Sequence, residues 1–139
     1  MKYLFDTSII TELISTQPNP NLIAFVDSLD QADIYLSAIT VGEIAKGIHL
    51  LPNSNRKREL DAWLRENLLV RFEGRILPLD ADLFIRWGEF SAKLELVEAP
   101  PIAAFDSLIA ATAWMHKMVL VTNNEDDYNN TGLEIVNPW

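Results

Sequence analysis

Four acidic residues, Asp6, Glu43, Asp106 and Asp127, stand where separate strand and helix ends can bring them together. Asp6 ends the apolar run Tyr3-Leu4-Phe5, and Glu43 lies within Ala38-Ile39-Thr40-Val41-Gly42-Glu43-Ile44. Asp106 interrupts the largely apolar stretch from Ile102 to Met115, and Asp127 follows the strand-like Val119-Leu120-Val121-Thr122 after a short polar loop. Carboxylates gathered in one place repel one another and resist desolvation unless a positive partner joins them. The simplest partner is a hard divalent cation, which takes oxygen ligands. The leading chemistry is therefore metal-dependent hydrolysis.

Each acid also has a plain structural reading. Asp6 suits a turn that caps the following helix. In its favour as a site residue, Asp6-Thr7-Ser8 places a carboxylate and two hydroxyls together, and those hydroxyls can orient a carboxylate or hold a water. Thr40-Val41-Gly42-Glu43 matches a capping box, in which the Glu bonds back to the cap. Asp127 ends the acidic run Glu125-Asp126-Asp127, a pattern common in solvated loops, and spacing does not choose between Asp126 and Asp127. Asp106 is the hardest to assign to the fold alone. Its helical neighbours are Ile102, Ala103, Ile109 and Ala110, and no Lys or Arg lies between Lys93 and Lys117. A place near a helix start gains a carboxylate roughly 0.3–1 kcal/mol. That is small beside the several kcal/mol of burying an unpaired ion.

Other chemistries find little support. His49 and His116 are too few for a His-rich zinc site, and the absence of cysteine removes thiolate sites and disulfides. There is no Gly-x-Ser-x-Gly elbow and no Gly-x-x-x-x-Gly-Lys phosphate loop. Trp87, Trp114, Met115 and Met118 read as core or partner interface.

Alternating strand and helix signals must position the acids. Strands are expected at Tyr3 to Phe5, Ile34 to Leu36, Ile76-Leu77, Val119 to Val121 and Leu133 to Val136. Helices are expected over Ile9 to Ile14, capped by Thr7 or Ser8, and from Pro20, capped by Asn19. Further helices are expected over Thr40 to Leu51, Arg56 to Phe72, from Asp80, and over Ile102 to His116. Pro52-Asn53-Ser54-Asn55 and Ala99-Pro100-Pro101 are breaks. Strands separated by helices imply an α/β fold, with a mainly parallel sheet covered on both faces. Sites in such folds form beyond the carboxyl ends of the strands, where Asp6 and Thr122 stand.

At 139 residues the chain reads as one domain, able to bury roughly 70% of its unfolded surface. The early acid in Met1-Lys2-Tyr3-Leu4-Phe5-Asp6 does not suit a signal peptide, and no apolar stretch reaches membrane-span length. A soluble, cytoplasmic protein without membrane contact is expected. The formal charge is −9, from 11 Lys and Arg against 20 acids. A generic basic groove for nucleic acid is therefore not expected, although bound metals can invert the local field. The acidity also suits a basic protein partner.

These segments together resemble the PIN-domain family, and within it the VapC-type toxin ribonucleases of type II toxin–antitoxin pairs. The resemblance runs over nearly the whole chain. Tyr3-Leu4-Phe5-Asp6-Thr7-Ser8 is similar to the family's opening strand and first Asp. Ser37 to Ile44 resembles the segment carrying its characteristic Glu, and Phe105-Asp106-Ser107-Leu108-Ile109-Ala110-Ala111-Thr112-Ala113 is the most specific match. Leu120-Val121-Thr122-Asn123-Asn124 with Asp127-Tyr128 is similar to the family's Thr-x-Asn segment followed by an acid and an aromatic, and this favours Asp127 over Asp126. Lys117 stands where the family often has Gly, and Asn123 where it often has Arg.

The resemblance implies a PIN-like three-layer sandwich over residues 1–139 and an endoribonuclease dependent on Mg²⁺ or Mn²⁺. Asp6, Glu43, Asp106 and Asp127 would be the catalytic metal ligands, Asp127 directly or through water. Thr7, Ser8 and Thr122 would be supporting hydroxyls, and Asn124 a supporting or ligand position. It further implies an RNA substrate, a homodimer and a small antitoxin that blocks the site. The alternative is a non-catalytic acidic-pocket signalling or binding module. A phosphoacceptor receiver has similar architecture but needs a Lys at a late strand end, whereas Lys117 precedes Val119.

Overall fold

Tyr3–Phe5 forms the first strand, β1, and the alternation of its side chains sends Phe5 to one face of the sheet and Leu4 to the other. The computed structural model describes all residues, 1–139. After β1 come helices α1 (Thr7–Leu13) and α2 (Pro20–Asp27), strand β2 (Ile34–Ser37) and helix α3 (Ala38–His49). Helix α4 begins at Asn55–Trp63, widens into a π-type turn at Leu64–Leu68 and ends with Leu69–Arg71. Strand β3 (Ile76–Leu77), helices α5 (Ala81–Leu96) and α6 (Ala104–His116), and strands β4 (Val119–Val121) and β5 (Ile135–Val136) complete the order.

The five strands are all parallel, in the order β3-β2-β1-β4-β5. Register sets Tyr3 beside both Ile34 and Val119, and Phe5 beside Val121. One apolar core lies between the sheet and α1 to α4, built on Phe5, Ile34, Leu36 and Val121 with Ile9, Ile44 and Leu68. The other lies beneath α5 and α6, built on Leu4, Leu120, Ile109 and Phe90. The result is the expected α/β sandwich of three layers. The chain leaves β1 toward β2 and β3, then crosses back to β4 on the opposite side. The switch point, where ligand sites form in such sheets, is therefore between the carboxyl ends of β1 and β4. No helix is long and apolar enough to cross a membrane.

Several element ends differ from the sequence expectation. The cap of α1 is Asp6, whose Oδ1 accepts from the Thr7 backbone N–H, rather than Thr7 or Ser8. Helix α3 starts at Ala38, with Ser37 as its cap, so Glu43 is six residues in and makes no capping box with Thr40. Two candidates compete for one cap here, and the earlier hydroxyl wins because β2 runs on to Ser37. Helix α6 starts at Ala104, with Ala103 still extended at ψ 146°, and β5 is only Ile135–Val136. Trp87, Trp114 and Met115 pack against the α5–α6 core and Met118 is buried in it, as expected.

Candidate active site

Asp6 is placed by β1 and buried, with only 4% of its surface exposed. Its backbone N–H donates to the Val121 carbonyl at 2.9 Å, extending the β1–β4 ladder by one rung. Its carboxylate accepts from three neighbours. Thr7 N–H donates to Oδ1 at 2.8 Å, while Thr122 Oγ1 and Ser8 Oγ donate to Oδ2 at 2.7 and 3.4 Å. Burial still raises the Asp6 pKa. The Thr122, Thr7 and Ser8 donors pull it down, and the Glu43 charge adds to the rise. Asp6 is both cap and site residue, so its two sequence readings coincide.

Glu43 projects from α3 toward the same point. Thr7 Oγ1 donates to Glu43 Oε1 at 2.7 Å and lies 3.0 Å from Thr40 Oγ1. Thr40 is fully buried, one turn before Glu43. The hydroxyls of α1 and α3 thus form a short chain that ends on the carboxylate.

Asp106 is the third residue of α6 and half-buried. Its stripe neighbours Ile109 and Ala110 are completely buried, so the carboxylate stands at the rim of the core. Burial raises its pKa most, followed by the Asp6 charge; the Tyr128 hydroxyl lowers it, and the Asp127 charge raises it again. That tyrosine is nearly inaccessible, and its hydroxyl makes no hydrogen bond of regular geometry although it faces the Asp106 carboxylate. Burial, with the charges of Asp6, Asp106 and Asp127, pushes the phenol well above its usual range. Tyr128 therefore stays protonated.

Asp127 lies on a short 3₁₀ turn, Glu125–Tyr128, and is exposed, with its charge felt at Asp106 and Tyr128. Asp126 exerts no such influence on either group, although both acids border a cleft of about 500 Å³ beside Asp106. Thr122 is completely buried at the end of β4, donating to Asp6 and accepting the Asn124 backbone N–H at 3.0 Å. Asn124 is exposed, and its side chain makes no hydrogen bond.

The structure thus gathers Asp6, Glu43, Asp106 and Asp127 into one electrostatic neighbourhood from four places in the fold. The chain's two ion pairs, Arg65–Asp61 and Arg86–Glu89, are on the surface, so no basic side chain stands within 4.0 Å of these acids. The donors are all oxygen, which fits Mg²⁺ or Mn²⁺ and not a soft metal. No three acids are close enough together to close around an ion by themselves. Mg²⁺ keeps several waters and commonly uses one or two carboxylates, so the all-oxygen donor set fits a partly hydrated ion. His49 and His116 are exposed and take no part.

Two contributors were not legible in the sequence as site residues. Thr40 looked like a helix cap, and its contact with Thr7 spans 33 positions, which no local spacing signals. Tyr128 followed Asp127 as an aromatic of no assigned role, and only the fold turns its hydroxyl under Asp106. A buried tyrosine normally finds a partner for its hydroxyl, which is the one clue a sequence reader has.

The PIN domain family matches residues 3–132. The chain belongs to the PIN-domain family. It is 37% identical over 136 residues to Toxin FitB of Neisseria gonorrhoeae, covering 98% of this chain and 97% of that protein. It is 32% identical over 136 residues to VapC ribonuclease Y4jK of Sinorhizobium fredii, covering 98% and 96%. The crystal structure of FitAcB from Neisseria gonorrhoeae superposes with a TM-score of 0.92 at 36% identity, covering 99% of this chain and 98% of that one. A structure of FitAB bound to a DNA fragment gives the same TM-score and identity, covering 99% and 95%. Membership of this family leaves the receiver reading without support.

Proposed function

We propose that this PIN domain, taken as one unit over residues 1–139, is a divalent-metal-dependent endoribonuclease and the toxin of a toxin–antitoxin pair. The observation that carries this reading is the convergence of Asp6, Glu43, Asp106 and Asp127 at the β1–β4 switch point with no cationic side chain among them. The relatives' names, toxin and ribonuclease, support it.

Asp6, Glu43 and Asp106 would hold Mg²⁺ or Mn²⁺ together with water, and Asp127 would complete the site directly or through water. A cation held there would supply Lewis-acid activation of water and offset charge on the phosphate. The protein's own residues do the rest. Thr122, Ser8 and the Thr7 backbone fix the Asp6 carboxylate. Thr7 and Thr40 fix Glu43. Asp127 is free to adjust to the substrate, since it is exposed on a short turn.

The working complex is cytoplasmic. It includes a homodimer of this chain and a small antitoxin whose basic segment is drawn to the carboxylates. Purified, antitoxin-free protein should cleave members of a panel of tRNA, rRNA fragments and mRNA, and an equimolar cognate antitoxin should suppress the cutting. Cleavage unaffected by the antitoxin would remove the pairing. No cleavage of any RNA would favour a binding role.

A further inference from the structure

Helix α3 turns one stripe, including Gly42, Glu43, Lys46 and Gly47, toward a cleft of about 740 Å³ whose opposite side carries Leu79 and Phe105. The cleft shares Glu43 with the acidic site, and Phe105 on its wall immediately precedes Asp106. Three features of this cleft are open to a ligand. Phe105 is a large aromatic, 57% exposed. Lys46 has no ion-pair partner. Gly42 and Gly47 lie inside a helix, where glycine is a poor choice, yet a Cβ added at either would meet nothing within 4 Å. No internal packing calls for those glycines, and the space they leave lies along the cleft.

We propose that this cleft seats the nucleotide next to the scissile phosphate of single-stranded RNA, with its base stacked on Phe105 and its flanking phosphate held by Lys46. The proposal rests on the ribonuclease reading above. An exposed aromatic face takes an unstacked base, which a duplex does not offer. Lys46 supplies a positive charge beside a site that is otherwise acidic. The glycines let a sugar–phosphate chain lie against α3. The second cleft, on the far side of Asp106, is lined by Asp126, Asp127, Asn129 and Asn130 without any Lys or Arg, so it is the poorer path for a phosphate.

The test is equilibrium binding of a short fluorescein-labelled single-stranded RNA of mixed sequence to the full chain in an Asp106→Asn background, which removes cutting. Phe105→Ala should weaken binding about tenfold and Phe105→Trp should restore it. Lys46→Gln should lower the slope of log affinity against log salt by about 0.7, one phosphate contact on a single strand. A duplex of the same sequence should be insensitive to Phe105→Ala. Since Phe105 and Lys46 are both exposed, melting curves should match the parent's. Parent-like RNA affinity in the Phe105→Ala and Lys46→Gln variants overturns the proposal. So does a loss of antitoxin affinity with RNA affinity unchanged, which gives the cleft to the protein partner. Failure of both the Asp106→Asn parent and the unsubstituted chain to bind RNA, with Mg²⁺ present, is distinguishable from both, and it removes the ribonuclease reading together with this one.

Discussion

Thr7 and Glu43, 36 positions apart, are joined by a 2.7 Å hydrogen bond from the Thr7 hydroxyl to Glu43 Oε1. A hydroxyl has one proton to donate. Thr7 gives its proton to Glu43, and the Thr40 hydroxyl then donates to Thr7 across 3.0 Å. Glu43 is thereby aimed by α1 rather than by its own helix. Thr7→Ala should reduce metal affinity and cleavage by about 10–100-fold, the usual cost of losing a partner that orients a ligand. Thr7→Ser keeps the proton and should keep most of the activity. Comparing Mn²⁺ affinity by calorimetry in the two variants separates orientation from loss of fold. Equal affinity in Thr7→Ala and the parent would show that the contact is structural.

The raised pKa values of Asp6 and Asp106 set a pH dependence with a definite sign. Between their ordinary value of 3.8 and their higher folded values, the native state binds more protons than the unfolded one. Their contribution to stability therefore falls as pH rises through that window, and above it the metal-free protein carries the full repulsion. Mn²⁺ should relieve this. At a concentration about a hundred times its Kd, it adds about 2.7 kcal/mol, a rise of roughly 8 °C in Tm for a chain of this length. The rise should be larger near neutrality than in mild acid, where protons compete for the carboxylates. Calorimetric scans with Mn²⁺ and with EDTA at both pH values check it, and a rise independent of pH would place the ion elsewhere.

Tyr128 holds its hydroxyl inside the protein without a hydrogen bond of regular geometry. Tyr128→Phe should therefore leave stability unchanged or raise it by up to about 1 kcal/mol, because a poorly satisfied buried polar group is removed. The Asp106 carboxyl should at the same time titrate at higher pH, since it loses the one neighbour that lowers its pKa. A carbon-13 titration of the aspartate carboxyls reads this directly. A downward move of Asp106 would show that the hydroxyl does not stabilise its carboxylate, and a destabilisation of several kcal/mol would show that the hydroxyl is well bonded after all.

Lys117 ends α6 in the left-handed conformation, with φ 55° and ψ 46°. Glycine reaches that region without the steric cost of a Cβ, roughly 1 kcal/mol or more. Lys117→Gly should stabilise the protein by about 1 kcal/mol without changing cleavage, measurable by urea unfolding. A loss of stability would mean that the lysine's side chain contributes more than its backbone costs.

Much of this was readable in the sequence because the signals were local. Asn19-Pro20, Asp80 and the Pro100-Pro101 break fall at the expected element ends, and Asp106 stood out as a carboxylate on an apolar stripe without a nearby cation. What failed was the choice between adjacent capping residues. Asp6, Thr7 and Ser8 are all competent caps, and only pairing of the Asp6 backbone N–H with Val121 determines which is used. The same ambiguity between Ser37 and Thr40 gave Glu43 a capping role that it does not have. Long-range contacts such as Thr122 to Asp6, 116 positions apart, leave no trace in spacing at all. They follow from the parallel register of β1 and β4, which is a property of the sheet.

Cleavage of a mixed RNA panel by antitoxin-free protein, in Mg²⁺, in Mn²⁺ and in EDTA, beside the Asp106→Asn variant, tests the site most directly. The expected result is cutting with either metal and none in EDTA. The variant should be at least about a thousandfold slower, since the cation's charge stabilisation is worth several kcal/mol, yet it should melt no lower than the parent, because one repelling charge has gone. Undiminished cutting in EDTA, or full activity in the folded variant, would contradict a metal-dependent site built on these four acids.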